Sequence, residues 1–175
     1  MVLDSSGSMQ VQPWKDLCNA FNNFISVRQN TNANDVVSII VYDSNAKLQC
    51  EAIPLQSNFA NYLVYSGGGT DFGRALQCAN QVISRNDHKR REPVLIFLSD
   101  GEHSSGLPEM SAIYKSYSVH NLKVFVIGFC SSGETMLRRL AVAGGGIFLT
   151  SSNGIQLQST FEEISSTIKI VSLIN

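Results

Sequence analysis

Five consecutive positions of the run Val2-Leu3-Asp4-Ser5-Ser6-Gly7-Ser8-Met9 hold one carboxylate, Asp4, and three hydroxyls, Ser5, Ser6 and Ser8, straight after an apolar stretch. Three chemistries use such a set. A helix N-terminal loop uses Ser and Asp oxygens to accept backbone N–H groups. A serine nucleophile needs a histidine base beside it. A hard divalent cation takes oxygen ligands: carboxylates, hydroxyls and water.

Two other stretches carry similar groups. Gly67-Gly68-Gly69-Thr70-Asp71 sets a hydroxyl and a carboxylate after a glycine run, and Leu98-Ser99-Asp100-Gly101 ends a second apolar run in a carboxylate. Gly68 to Gly73 has the spacing of a phosphate-binding loop, but Arg74-Ala75 stands where Lys and Ser/Thr belong, so that reading is rejected. Ser6 lies outside a Gly-x-Ser-x-Gly elbow. Of His88, His103 and His120, only His103 falls near these loops. It reads as a loop histidine that, with Glu102, flanks the site. A metal-dependent phosphatase or hydrolase stays open on two aspartates and a metal. Hydroxyl-rich coordination is a poor way to activate water, however, and no general base is evident.

The loops matter only if the fold brings them together. Trp14, Leu17, Cys18, Phe21, Phe24 and Ile25 recur at helical spacing behind Pro13. Val36 to Tyr42 is a β-branched run that reads as a strand buried on both faces. After the turn Asp43-Ser44-Asn45, Leu48, Cys50 and Ala52 alternate with Lys47, Gln49 and Glu51, which predicts an antiparallel edge strand with one wet face. A short helix is expected over Asn58 to Val64. A longer one follows Asp71, with Phe72, Ala75, Leu76, Ala79 and Ile83 on one face and Asp71 as its cap. Strands at Pro93–Leu98, Leu122–Phe129 and Ile147–Leu149 alternate with helices near Glu109–Val119 and Glu134–Val142. A last helix carries the stripe Leu157, Phe161, Ile164, Ile168 and Val171.

Alternating strands and helices with one hairpin predict a three-layer, doubly wound α/β fold. Its sheet is mostly parallel and six-stranded, in the order 3-2-1-4-5-6, with one antiparallel edge strand and helices on both faces. In that order the strands ending at Asp4 and Asp100 are neighbours at the switch point, where ligands sit. The pooled oxygens are then Asp4, Ser6, Ser8, Thr70 and Asp100. Two carboxylates only balance the charge of Mg²⁺, Mn²⁺ or Ca²⁺, and hydroxyls are weak neutral donors. Such a cation stays electron-poor, keeps water, and can exchange a water for an incoming carboxylate.

Asp4-Ser5-Ser6-Gly7-Ser8 matches the D-x-S-x-S signature of von Willebrand factor A domains. Gly69-Thr70-Asp71 looks like that family's threonine loop, and Leu98-Ser99-Asp100-Gly101 resembles its final aspartate loop. The resemblance covers essentially the whole chain in the right order. It implies a metal-ion-dependent adhesion site in which Ser6, Ser8 and Thr70 are direct or switchable ligands, and Asp4 and Asp100 hold the metal directly or through water. It further implies Mg²⁺ or Mn²⁺ before Ca²⁺, and a protein ligand whose Asp or Glu completes the coordination. In some members the last helix shifts when the site changes ligand. A purely structural metal in a scaffold module is the remaining alternative.

Composition bounds the rest. With 175 residues, 43% apolar and 15% charged, the chain reads as one domain spanning 1–175, monomeric when isolated. Its first strand is short, as in a domain excised from a larger protein. A net charge of −1 gives no field for nucleic acid, and no apolar run is long enough for membrane insertion. His88-Lys89-Arg90-Arg91 reads as a solvated connector. Cys18, Cys50, Cys78 and Cys130 lack metal-ligand spacing and fall two on helices and two on strands. With no N-x-S/T sequon, they lean toward a reducing, intracellular setting.

Overall fold

The computed structural model describes residues 1–31, 34–101, 103–130 and 134–172, the last four by backbone alone. Six strands form one sheet: β1 (Val2–Asp4), β2 (Val36–Tyr42), β3 (Ala46–Pro54), β4 (Val94–Ser99), β5 (Lys123–Phe129) and β6 (Ile147–Ser151). Their order is β3-β2-β1-β4-β5-β6, with only β2–β3 antiparallel. The order and the single antiparallel edge expected from the sequence are both present.

Alternation along the strands divides the interior into two layers. Leu3, Val41, Ile96, Leu98, Phe125 and Ile127 point to one face, which α1 (Gln12–Gln29) and α5 (Gly154–Ser172) cover. Val2, Ile40, Phe97, Val124 and Val126 point to the other, under α2 (Phe72–Ser84), α3 (Leu107–Tyr117) and α4 (Thr135–Ala143). Burial on both faces is why the parallel strands read as nearly continuous apolar runs.

The edge strand departs from its expected pattern. Its register with β2 shifts on either side of Ile39, so Cys50 lies in the first layer and Leu48 in the second. A bulge moves side chains to the opposite face. Ala52 is exposed rather than inward, at φ +50°, and its N–H goes to Ser38 Oγ at 2.9 Å. The helix expected over Asn58–Val64 is a single 3₁₀ turn, Ala60–Tyr62. Helix α3 begins two residues earlier than expected, with Pro108 in its first turn, and hands over to a 3₁₀ turn at Ser118–His120.

All four cysteines are free thiols. Cys130 is not a strand hydrophobe. It lies just beyond β5, exposed, at φ +53°, with its thiol toward Ser152 O at 3.2 Å. The basic connector is solvated at Lys89, Arg90 and Arg91, but His88 stacks on His120 at 4.8 Å between centroids. The expected stripe on α5 holds at Leu157, Phe161 and Ile164; the side chain of Val171 lies outside the described residues. Among the described residues no helix is long and apolar enough to cross a membrane.

Candidate functional site

Strand β1 delivers Asp4 to the carboxyl edge of the sheet, between β2 and β4. The carboxylate is fully buried, yet each oxygen has a partner. Oδ1 accepts from Ser6 N at 2.8 Å; Oδ2 accepts from Ser99 Oγ at 2.6 Å and, at 3.5 Å, from Tyr42 OH. The backbone therefore turns at once after β1 and presents Ser6 and Ser8. Their hydroxyls lie 3.1 Å apart, and Ser8 Oγ donates to Asp100 Oδ1 at 2.8 Å. One hydrogen-bonded chain thus runs Asp4–Ser6–Ser8–Asp100 across the β1 and β4 loops.

The glycine loop forms the third side. Gly67 N donates to Ser5 O and Gly7 N to Gly68 O, both at 2.8 Å, so this loop is laced to the serine loop by backbone bonds. Gly67 sits at φ +79°, which favours glycine, and a Cβ on Gly68 would fall 2.6 Å from Asp43 Oδ2, so a side chain there would displace the Asp43 carboxylate. Asp71 N bonds Asp43 O at 2.9 Å, and its carboxylate caps α2 through Arg74 N at 3.1 Å, as the sequence predicts. Thr70, half-buried, lies between these anchored neighbours. Among the described residues its hydroxyl makes no hydrogen bond to the other four predicted ligands.

Electrostatics favour a cation here. Burial, and then the nearby Asp100 charge, raise the pKa of Asp4 against the lowering effect of its Ser99 and Ser6 hydrogen bonds. Burial likewise raises Asp100, opposed by the Ser8 hydrogen bond. Two partly desolvated carboxylates that repel one another are stabilised by a bound positive charge. Among the described residues only Oδ1 of Asp100 accepts from a hydroxyl, that of Ser8, and the serine hydroxyls can rotate to offer lone pairs. The donor set therefore fits a hard divalent ion. Among the described residues no group of three or more His, Cys, Asp or Glu side chains could hold a metal, so softer nitrogen–sulfur chemistry has no such centre there.

Several residues that shape the site escaped the sequence reading. Ser99 and Tyr42 hold Asp4, and Tyr42 OH also reaches Leu98 O at 3.1 Å. Ser5 is a tie rather than a ligand: its Oγ bonds Tyr42 O at 3.0 Å and Ser66 Oγ at 2.6 Å. Tyr65 OH donates to Ser6 O at 3.3 Å. The only available signal was a polar group at the end of an apolar strand run, Tyr42 on β2 and Ser99 on β4. His103 turns to Ser105, with Nδ1 and Oγ 2.7 Å apart, and its ring lies against Phe72; Glu102 is outside the described residues.

With this geometry in hand, the family comparison is decisive. The von Willebrand factor type A domain model matches residues 1–163. The chain belongs to the von Willebrand factor type A domain family. Domains of this family typically serve protein–protein interaction or adhesion. This A domain is 27% identical to human inter-alpha-trypsin inhibitor heavy chain H6, over 94% of the present chain but 14% of that protein. It thus spans about a seventh of the length of that curated relative. Its fold is shared with BatB from Bacteroides thetaiotaomicron (TM-score 0.75, 21% identity, 95% and 96% of the two chains). It is also shared with proximal thread matrix protein 1 from the mussel byssus (0.76, 18%, 95% and 44%). A third is the pilus adhesin SpaC from Lactobacillus rhamnosus GG (0.75, 13%, 96% and 30%).

Proposed function

We propose that this A domain binds a protein partner through a divalent cation, Mg²⁺ or Mn²⁺, held by Asp4, Ser6, Ser8, Thr70 and Asp100. An Asp or Glu of the partner completes the coordination. The observation that carries this reading is the hydrogen-bonded chain from Asp4 through Ser6 and Ser8 to Asp100. It gathers two carboxylates and two hydroxyls from loops far apart in sequence. A cation there supplies charge for an acidic group, which neither carboxylate would accept unaided.

The residues themselves orient rather than react. Asp4 is locked by Ser6 N, Ser99 and Tyr42, so its position is set before any ligand arrives. Ser8 and Asp100 are more open to solvent and form the outward side. On this reading the domain acts as a binding module, and His103, the imidazole closest in sequence to the site, is held by Ser105. Partner capture is measured with Mg²⁺, with EDTA, and with the double variant Asp4→Ala, Thr70→Ala. Loss of binding in the last two arms supports the reading; an affinity unchanged by both removes it.

A further inference from the structure

Three loops need three joints to act as one site. The serine loop is laced to the glycine loop by Gly67 N on Ser5 O and Gly7 N on Gly68 O, and to the loop after β4 by Ser8 Oγ on Asp100 Oδ1. The third joint lies between the glycine loop, where it enters α2, and the connection from β4 to α3. Among the described residues both hydrogen bonds that make it pass through one atom, Ser105 Oγ. It accepts from Gly73 N at 3.1 Å and reaches Asp71 Oδ1 at 3.3 Å.

Asp71 matters because it follows Thr70 directly. Its N–H is fixed on Asp43 O at 2.9 Å, and its Oδ1 also accepts from Arg74 N at 3.1 Å as the cap of α2. The carboxylate is thus held between the helix it caps and Ser105. The Ser105 hydroxyl has a single proton and a second acceptor beside it. His103 Nδ1 stands 2.7 Å away, and the same nitrogen accepts from Ser105 N at 3.3 Å. A ring nitrogen that accepts from the backbone carries no proton of its own, so it also draws the hydroxyl proton. His103 and Asp71 therefore compete for that proton, and the shorter distance favours His103. The imidazole is steadied by Phe72, with ring centroids 5.7 Å apart.

We infer that Ser105 is the positioning residue that sets Thr70 against Asp100 for the cation, and that His103 competes with Asp71 for its hydroxyl proton. The inference extends the metal-site reading and rests on it. Ser105 is not a ligand in this account; it acts on Thr70 through Asp71. The competition gives changes at the two neighbours opposite signs. Removing the hydroxyl cuts the joint. Removing the imidazole nitrogen turns the hydroxyl to Asp71 and tightens the joint. A role in loop packing alone would give both changes the same sign, because both residues are partly buried in one loop.

The test titrates Mg²⁺ by calorimetry into the metal-free domain and its variants Ser105→Ala, Ser105→Thr and His103→Phe. Amide exchange of Asp71 is read before metal is added. Ser105→Ala is expected to weaken Mg²⁺ binding about tenfold or more and to speed Asp71 exchange about tenfold. Ser105→Thr keeps the hydroxyl and should restore both. His103→Phe keeps a ring against Phe72 and should bind Mg²⁺ at least as tightly as the parent. Parent-like affinity or unchanged Asp71 exchange in Ser105→Ala overturns the inference while the metal site stands. So does a Ser105→Thr that restores neither, or a His103→Phe weakened as much as Ser105→Ala. A Ser105→Ala that fails to fold also overturns it, since the residue then serves the fold rather than the site. No Mg²⁺ uptake by the parent overturns the metal-site reading and this inference with it.

Discussion

Ser8 Oγ donates a 2.8 Å hydrogen bond to Asp100 Oδ1 across 92 positions of sequence. It couples the loop after β1 to the loop after β4. Because β1 and β4 are adjacent strands, the topology allows this contact, which joins the two loops that carry the carboxylates.

Ser99 tests how far Asp4 depends on its supports. Its hydroxyl is buried and donates to Asp4 Oδ2 at 2.6 Å. Ser99→Ala leaves the proposed ligands intact but removes the shortest of the three hydrogen bonds that hold the carboxylate. Mg²⁺ affinity should fall about 10–100-fold, by calorimetry, while far-UV circular dichroism stays unchanged.

The pH dependence of the metal-free domain has a definite sign. Asp4 and Asp100 titrate above their ordinary value of 3.8, mainly through burial. A folded pKa above the unfolded one means that the contribution to stability is complete below 3.8 and is lost as pH rises through the folded values. Metal-free protein should therefore gain Tm relative to Asp4→Asn as pH is lowered from neutral toward about 4. A Tm difference independent of pH would contradict the assignment.

Gly68 tests the third loop. A methyl group there would meet Asp43 Oδ2 at 2.6 Å, so either the Asp43 side chain or the glycine loop that carries Thr70 must shift. Gly68→Ala should weaken Mg²⁺ binding about tenfold or more, measured by titration, with the same direction in Thr70→Ala.

Phe97 links core to site. It is fully buried, stacks on Tyr42 at 5.4 Å and meets Phe72 edge-on at 5.2 Å. Phe97→Ala should cost about 3–5 kcal/mol in denaturant unfolding. It should also loosen Tyr42, and with it Asp4.

Arg28 is the buried charge away from the site, 2% exposed, with Nη2 on Asp35 Oδ2 at 2.5 Å and Nη1 on Ser165 O at 3.1 Å. Asp35→Ala strands that charge and should cost about 3 kcal/mol, whereas Arg28→Met should cost less. Equilibrium unfolding of the two variants decides the order.

Strand order was legible because parallel strands buried on both faces leave apolar runs, and each run ended in an oxygen-bearing loop. The bulges in β3 were not, because a register shift has no residue type of its own: Cys50 and Leu48 look alike on a two-residue period yet face opposite layers. That Asp4, Ser6, Ser8 and Asp100 would lie close together was readable from type and spacing, and their hydrogen bonds join them; their service as ligands is the proposal. Tyr42 and Ser99 were not readable, since their roles arise only when β2, β1 and β4 lie side by side. Cys130 misled because β5 ends one residue before it.

The central claim is that three loops jointly hold one divalent ion. Calorimetric titration of the metal-free domain with Mg²⁺, beside the double variant Asp4→Ala, Asp100→Ala, tests it most directly. The account predicts one saturable site of about millimolar affinity or tighter in the parent protein and none in the variant. No uptake by the parent, or equal uptake by both, would contradict it.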